Sequence, residues 1–168
     1  RVRCLRATFP ESEALRFDPD GVVLSPGPGH PRDRRVTGLA RTLLSRWDRE
    51  RPFLGVCLGH QLIAEHYGAT VVHAPAPVHG ELSDLVHDGL GIFEGVPSPL
   101  AAARYHSLVV RPSSVPRTLE ISARGTDGLV MALRHRERPV ESVQFHPESY
   151  LTRYGPRILH NFLSEVRR

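Results

Sequence analysis

The sequence predicts an α/β fold: an open, mostly parallel sheet with helices on both faces. Three observations carry this reading. Short apolar runs alternate along the chain with segments whose apolar residues recur every three to four positions. Several of those runs are continuous rather than alternating, as strands buried on both faces are. The chain has 168 residues, 40% hydrophobic and 24% charged, which suits one globular domain over all of residues 1–168.

The elements follow in order. Residues 21–25 read as a buried strand and run into a loop, Pro26-Gly27-Pro28-Gly29. Leu39, Leu43, Leu44 and Trp47 then share one helical face. Residues 52–56 form a second strand that leads straight into Cys57. Leu62, Ile63 and Tyr67 mark a helix that Gly68 ends. Residues 70–72 are a short strand, and residues 119–123 and 129–133 flank a turn at 125–128 as a hairpin. Residues 140–145 are a further strand. A closing helix presents Leu151, Ile158, Leu159, Phe162, Leu163 and Val166 as its apolar face. In such sheets the working residues sit at the carboxyl ends of the strands.

Composition narrows the function classes. The net charge is +4, and all 22 basic residues are Arg. They crowd only at Arg32, Arg34 and Arg35 and at Arg134, Arg136 and Arg138. Without interleaved aromatics or a nucleic-acid motif, this is a solvated basic face, and no nucleic-acid partner is expected. No apolar stretch is long enough to span a membrane, so no membrane partner is expected either. Cys4 and Cys57 show neither a disulfide framework nor metal-ligand spacing, which points to a reducing cytoplasm and no metal. Cys4 is expected to pack in the core. The chain opens at Arg1 and its only Met is Met131, so it is expected to be part of a longer polypeptide.

Gly55-Val56-Cys57-Leu58-Gly59 is a nucleophile-elbow pattern. A sharp strand-to-helix turn pushes the central side chain outward, and flanking glycines let backbones approach closely. The helix N-terminus behind Cys57 favours thiolate, the reactive form. A cysteine nucleophile needs a base and an orienting group. Among ten histidines, His146 stands out because it follows the strand at 140–145, with Pro147 stiffening the exit and Glu148 two residues on. Cys57, His146 and Glu148 are thus the expected nucleophile, base and orienter. His73, His79 and His87 cluster loosely, without metal-ligand spacing.

Four ordered blocks now resemble the class I, triad-type glutamine amidotransferases. They are Cys57-Leu58-Gly59-His60-Gln61 with its leading glycine, Ser25-Pro26-Gly27-Pro28-Gly29, Arg104-Tyr105-His106-Ser107-Leu108, and Gln144-Phe145-His146-Pro147-Glu148-Ser149. The resemblance covers nearly the whole chain and implies flavodoxin-like layers. It implies that Cys57 attacks the side-chain amide of L-glutamine, releasing ammonia through a thioester that is then hydrolysed to glutamate. By resemblance, Gly29 and Leu58 supply the oxyanion hole, while Gly27, Gln61 and the backbone of Ser107 and Leu108 hold glutamine.

Within the family the chain looks most like the chorismate-utilising branch. Residues 73–80, 86–89 and 131–135 lean toward the glutaminase that serves 4-amino-4-deoxychorismate formation in the folate (p-aminobenzoate) pathway; the alternative is that of anthranilate synthase, in the tryptophan pathway. A chorismate-binding synthase, fused to this chain, is the implied partner. The resemblance implies no cofactor in this domain and leaves room for Mg2+ in the synthase. Two other readings are weaker. An intact triad speaks against a non-catalytic regulatory module, and the Arg104–Leu108 block speaks against a γ-glutamyl peptide hydrolase.

The sequence departs from the family pattern in three places. The family's first strand, turn and helix are missing, so residues 2–5 are expected to correspond to its second strand. Glu81 stands where the branch carries a basic residue. Ser142 falls where the branch places a Gly before the strand's last residues.

Overall fold

The computed structural model describes residues 1–167. Its elements are α1 (Glu11–Phe17), β1 (Val22–Leu24), α2 (Arg34–Trp47), β2 (Phe53–Val56), α3 (Leu58–His66), β3 (Val71–His87), β4 (Leu100–Val110), β5 (Leu119–Gly125), β6 (Val130–His135), β7 (Val140–Val143) and α4 (Gly155–Val166). One sheet holds all seven strands in the order β1-β2-β7-β6-β5-β3-β4. Strands β1, β2 and β7 are parallel. The other pairings are antiparallel.

The sheet is therefore mixed, and the expectation of a mostly parallel one is corrected. Parallel neighbours need a crossover, and helices supply it only around β1, β2 and β7. From Val71 to Val143 no α-helix intervenes, so strands return beside one another in antiparallel pairs. The expected hairpin is present as β5–β6, with Gly128 at φ +80° in its turn. Residues 2–5 form no strand, against expectation, and Val2 is 89% exposed.

Helices do cover both faces of the parallel part, because side chains alternate along each strand. Phe53 and Val140 point into one core with Leu43, Leu44, Leu62 and Ile63 of α2 and α3. Leu54, Val56 and Val143 point the opposite way, onto Ile158 and Phe162 of α4. Helix α4 begins at Gly155, so Leu151 precedes it, and Leu163 is exposed rather than buried. Cys4 is exposed and packs in no core, correcting its expected role.

Helix α3 lies close enough to the sheet that its glycine is obligatory. A Cβ on Gly59 would meet the Leu24 carbonyl oxygen at 2.1 Å, and one on Gly55 would meet Gly59 backbone at 2.7 Å. These two glycines let α3 start immediately behind β1 and β2.

Candidate active site

The site is built where the parallel strands end. Val56 of β2 pairs with Val143 of β7, so the residues after each strand emerge side by side. The Cys57 N–H continues the ladder by donating to the Val143 carbonyl at 2.9 Å. Residues 25–29 follow β1, whose Leu24 pairs with Gly55, and so leave the sheet at the same end.

Cys57 caps α3 with φ 52° and ψ −101°, one of two non-glycine residues at positive φ among the described residues. This is a sharp, strained turn of the kind an elbow requires. Its side chain is mostly buried, and Sγ lies 3.9 Å from the Tyr105 carbonyl. Leu58, as the first residue of α3, has an N–H with no intrahelical acceptor.

His146 reaches the same place from β7. Its backbone N–H donates to Ala103 O at 3.0 Å, and its own carbonyl accepts from Thr152 Oγ1 at 2.8 Å. Thr152 in turn accepts from the Ala103 N–H at 3.0 Å, so one buried hydroxyl ties the His146 turn to β4. Nδ1 bonds Glu148 Oε1 at 2.6 Å. Nε2 is buried and has no partner in hydrogen-bonding geometry.

Burial pulls the imidazole down, but the neighbouring Cys57 thiol and the Glu148 carboxylate outweigh it and lift His146 to about 9. Burial likewise pushes Glu148 up, and the bond to His146 overcomes it, holding the carboxylate below its usual range. The structure thus brings Cys57, His146 and Glu148 together: a thiol beside an imidazole held protonated by an oriented carboxylate.

The expected glutamine-binding residues are placed less uniformly. Gly27 packs on Leu58, where a Cβ would come within 3.2 Å of Leu58 Cδ2. Gly29, at φ +99°, has Val36 as the neighbour a Cβ would meet, at 3.5 Å. Gln61 is buried, and its Nε2 donates to the Leu108 carbonyl (3.2 Å) and to Gln144 Oε1 (3.1 Å). The Leu108 carbonyl is thus occupied by Gln61 in this structure.

Ser107 has a different surrounding. His73 pairs with Leu108 and Val78 with His106, so four residues of β3 bulge opposite Ser107 alone. Pro75 and Pro77 lie in that bulge and cannot donate to the ladder. Ser107 itself is exposed and has no register partner in β3.

Several residues have roles that the sequence reading did not assign. Gln144 and Thr152 are buried polar side chains that fix Gln61 and His146. Arg104 is 3% exposed and braces β4 through Asp127 Oδ2 (2.8 Å), Ser83 Oγ (3.2 Å) and His106 Nε2 (3.1 Å). Burial and the Arg104 charge together depress His106 to about 4, which keeps it neutral as that acceptor. Ser142 also has a partner: its Oγ sits 2.9 Å from Nδ1 of the buried His60. Among the described residues no cluster of His, Cys, Asp and Glu is arranged to hold a metal, and no helix is long and apolar enough to cross a membrane.

An elbow cysteine with a carboxylate-held histidine, on the carboxyl ends of adjacent parallel strands, defines a cysteine hydrolase of the triad kind. Comparison with known proteins narrows the class. The profile of the family "Glutamine amidotransferase class-I" matches residues 1–166, and the chain belongs to that family as a glutaminase domain. It is 46% identical to anthranilate synthase component 2 of Azospirillum brasilense, over 93% of this chain and 79% of that protein. It is 52% identical to the aminodeoxychorismate synthase of Streptomyces pristinaespiralis, over 86% of this chain. The chain spans only 20% of that longer relative. Further relatives at 45–47% identity carry the name anthranilate synthase component 2. In structure, the chain is similar to a Thermoplasma acidophilum protein described as one subunit of GMP synthase. The TM-score is 0.87 at 29% identity, covering 98% of this chain and 80% of that one.

Proposed function

We propose that this chain hydrolyses L-glutamine and passes the ammonia to a chorismate-utilising synthase. The observation that carries the chemistry is the Cys57–His146–Glu148 convergence, with His146 Nδ1 held at 2.6 Å by Glu148. The Cys57 thiolate attacks the glutamine side-chain carbon. The developing oxyanion is met by the Leu58 N–H and by the loop at Gly27–Gly29. The C–N bond breaks, and His146 gives its proton to the departing ammonia. A γ-glutamyl thioester remains on Cys57. Water attacks it as His146 takes up a proton, the C–S bond breaks, and glutamate leaves. Gln61 and the backbone of Ser107 and Leu108 are the glutamine-orienting edge, with Gln61 releasing the Leu108 carbonyl when glutamine binds.

The partner reading rests on the relatives. Four of these relatives are named anthranilate synthase component 2 and one aminodeoxychorismate synthase, so anthranilate formation is favoured over the aminodeoxychorismate assignment that the sequence segments suggested. The 52% identity to an aminodeoxychorismate synthase keeps that product as the second reading.

The test is reconstitution with the cognate synthase and chorismate. Cys57→Ser removes product formation from glutamine and leaves formation from added ammonia intact. Loss of both activities sinks the division of labour, and unchanged glutamine use sinks the nucleophile. The identity of the aromatic product then decides between the two synthases.

A further inference from the structure

His146 presents a geometric problem that its hydrogen bonds do not solve. The bond to Glu148 fixes Nδ1, yet one bond leaves the ring free to pivot about it, and the Glu148 side chain is 48% exposed. Nε2, which must face the thiol, has no hydrogen-bonding partner to aim it. Rotation about the bond to an imidazole ring is intrinsically broad. Packing must therefore set the ring plane.

Tyr105 supplies that packing. Its ring stands edge-on to His146, with centroids 5.2 Å apart and planes at 76°. The same residue's carbonyl is the 3.9 Å contact of Cys57 Sγ. The Tyr105 ring also meets His79 edge-on, at 5.6 Å and 81°. His79 is its register partner across β3–β4, and Gly80, at φ +79°, is the extra residue of the bulge that follows. A Cβ on Gly80 would come 3.4 Å from Tyr105 Cε1. The bulge thus also packs against the tyrosine ring.

We propose that Tyr105 is a positioning residue, its ring holding the His146 imidazole over Cys57, with His79 and Gly80 packed against that ring. This rests on the assignment of Cys57 and His146 as the reacting pair. The groups facing His146 are then Glu148, Cys57, Tyr105 and, more remotely, His106.

Glutaminase kinetics of the full chain with its synthase provide the test. Tyr105→Leu keeps apolar bulk and removes the ring. An aromatic pair of this kind converts to roughly a two- to tenfold loss in kcat, with KM for glutamine unchanged. The alkaline limb of kcat/KM moves to lower pH, because an unaimed imidazole loses its coupling to the thiol. Tyr105→Phe retains the ring and restores most of kcat and the limb. A Tyr105→Leu enzyme with wild-type kcat and limb, one changed in KM alone, or a Tyr105→Phe enzyme equally impaired overturns the proposal.

Should Tyr105→Leu fail to fold, Gly80→Ala carries the test, since it presses on the ring. An unmoved limb there overturns the proposal as well. Cys57→Ala, run alongside, separates the two failures. If it retains glutaminase activity, the nucleophile assignment falls; if it is inactive while Tyr105→Leu behaves as wild type, only the positioning role falls.

Discussion

Cys57 should store strain, and a pair of substitutions can measure it. At φ 52° and ψ −101° a Cβ is poorly tolerated, and such a conformation costs about 1–3 kcal/mol in any residue but glycine. Cys57→Ala and Cys57→Gly both delete the thiol, so their difference isolates the backbone. At an unstrained buried position glycine is the worse of the two. It loses about 0.8 kcal/mol of methyl burial. It also loses about 0.4–1 kcal/mol through the greater freedom of its unfolded chain.

Those terms predict Cys57→Gly roughly 1.5 kcal/mol below Cys57→Ala in the absence of strain. Relief of about 2 kcal/mol reverses the order, leaving the glycine variant as stable as the alanine variant or slightly more so. Urea unfolding with unchanged slope reads the difference directly from the midpoints. A glycine variant that unfolds earlier by the full unstrained difference refutes a strained elbow.

Five further outcomes follow from the same geometry. Because His146 is raised to about 9 and is needed protonated when ammonia leaves, kcat/KM for glutamine should fall as pH rises through about 9. Glu148→Gln should lower kcat on the order of tenfold to a hundredfold and shift that limb to lower pH. The half-exposed carboxylate limits the loss, whereas His146→Asn should remove about 10²–10⁴-fold. Thr152→Val leaves the Ala103 N–H without its acceptor, so urea unfolding should show about 1–3 kcal/mol of destabilisation together with reduced kcat. Gly59→Ala drives a Cβ into the Leu24 carbonyl, and should cost about 1–3 kcal/mol or more on the same assay.

The parts of the site legible in the sequence are those written in consecutive residues. An apolar run ending in Gly-x-Cys-x-Gly announces a strand, an elbow and a helix, and β2, Cys57 and α3 follow in that order. His146 and Glu148 lie two residues apart, so their pairing is likewise local. That β2 and β7 are neighbours is a tertiary fact; the sequence pairs Cys57 with His146 only through the base that a cysteine nucleophile needs. Strand β3 reads as residues 70–72 in the sequence because Pro75, Pro77 and Gly80 punctuate it. In the fold those residues sit in two bulges of a strand running from Val71 to His87. Thr152, Gln144 and Tyr105 act through partners far away in the chain, and no spacing rule points to them. Ser142 looks like an uncompensated departure in the sequence, yet its hydroxyl lies against His60. For Glu81, exposed beside the β3 bulge, the structure gives no role.

The central claim is that Cys57 carries the glutamyl group, and trapping that intermediate tests it most directly. Protein mixed with glutamine and quenched in acid should carry a γ-glutamyl thioester, which intact-mass and peptide mass spectrometry would map to Cys57 and not to the exposed Cys4. The adduct should vanish in Cys57→Ala and accumulate in any variant that slows hydrolysis more than acylation. Glutamine turnover by Cys57→Ala, with no adduct on the wild-type chain, would contradict the account.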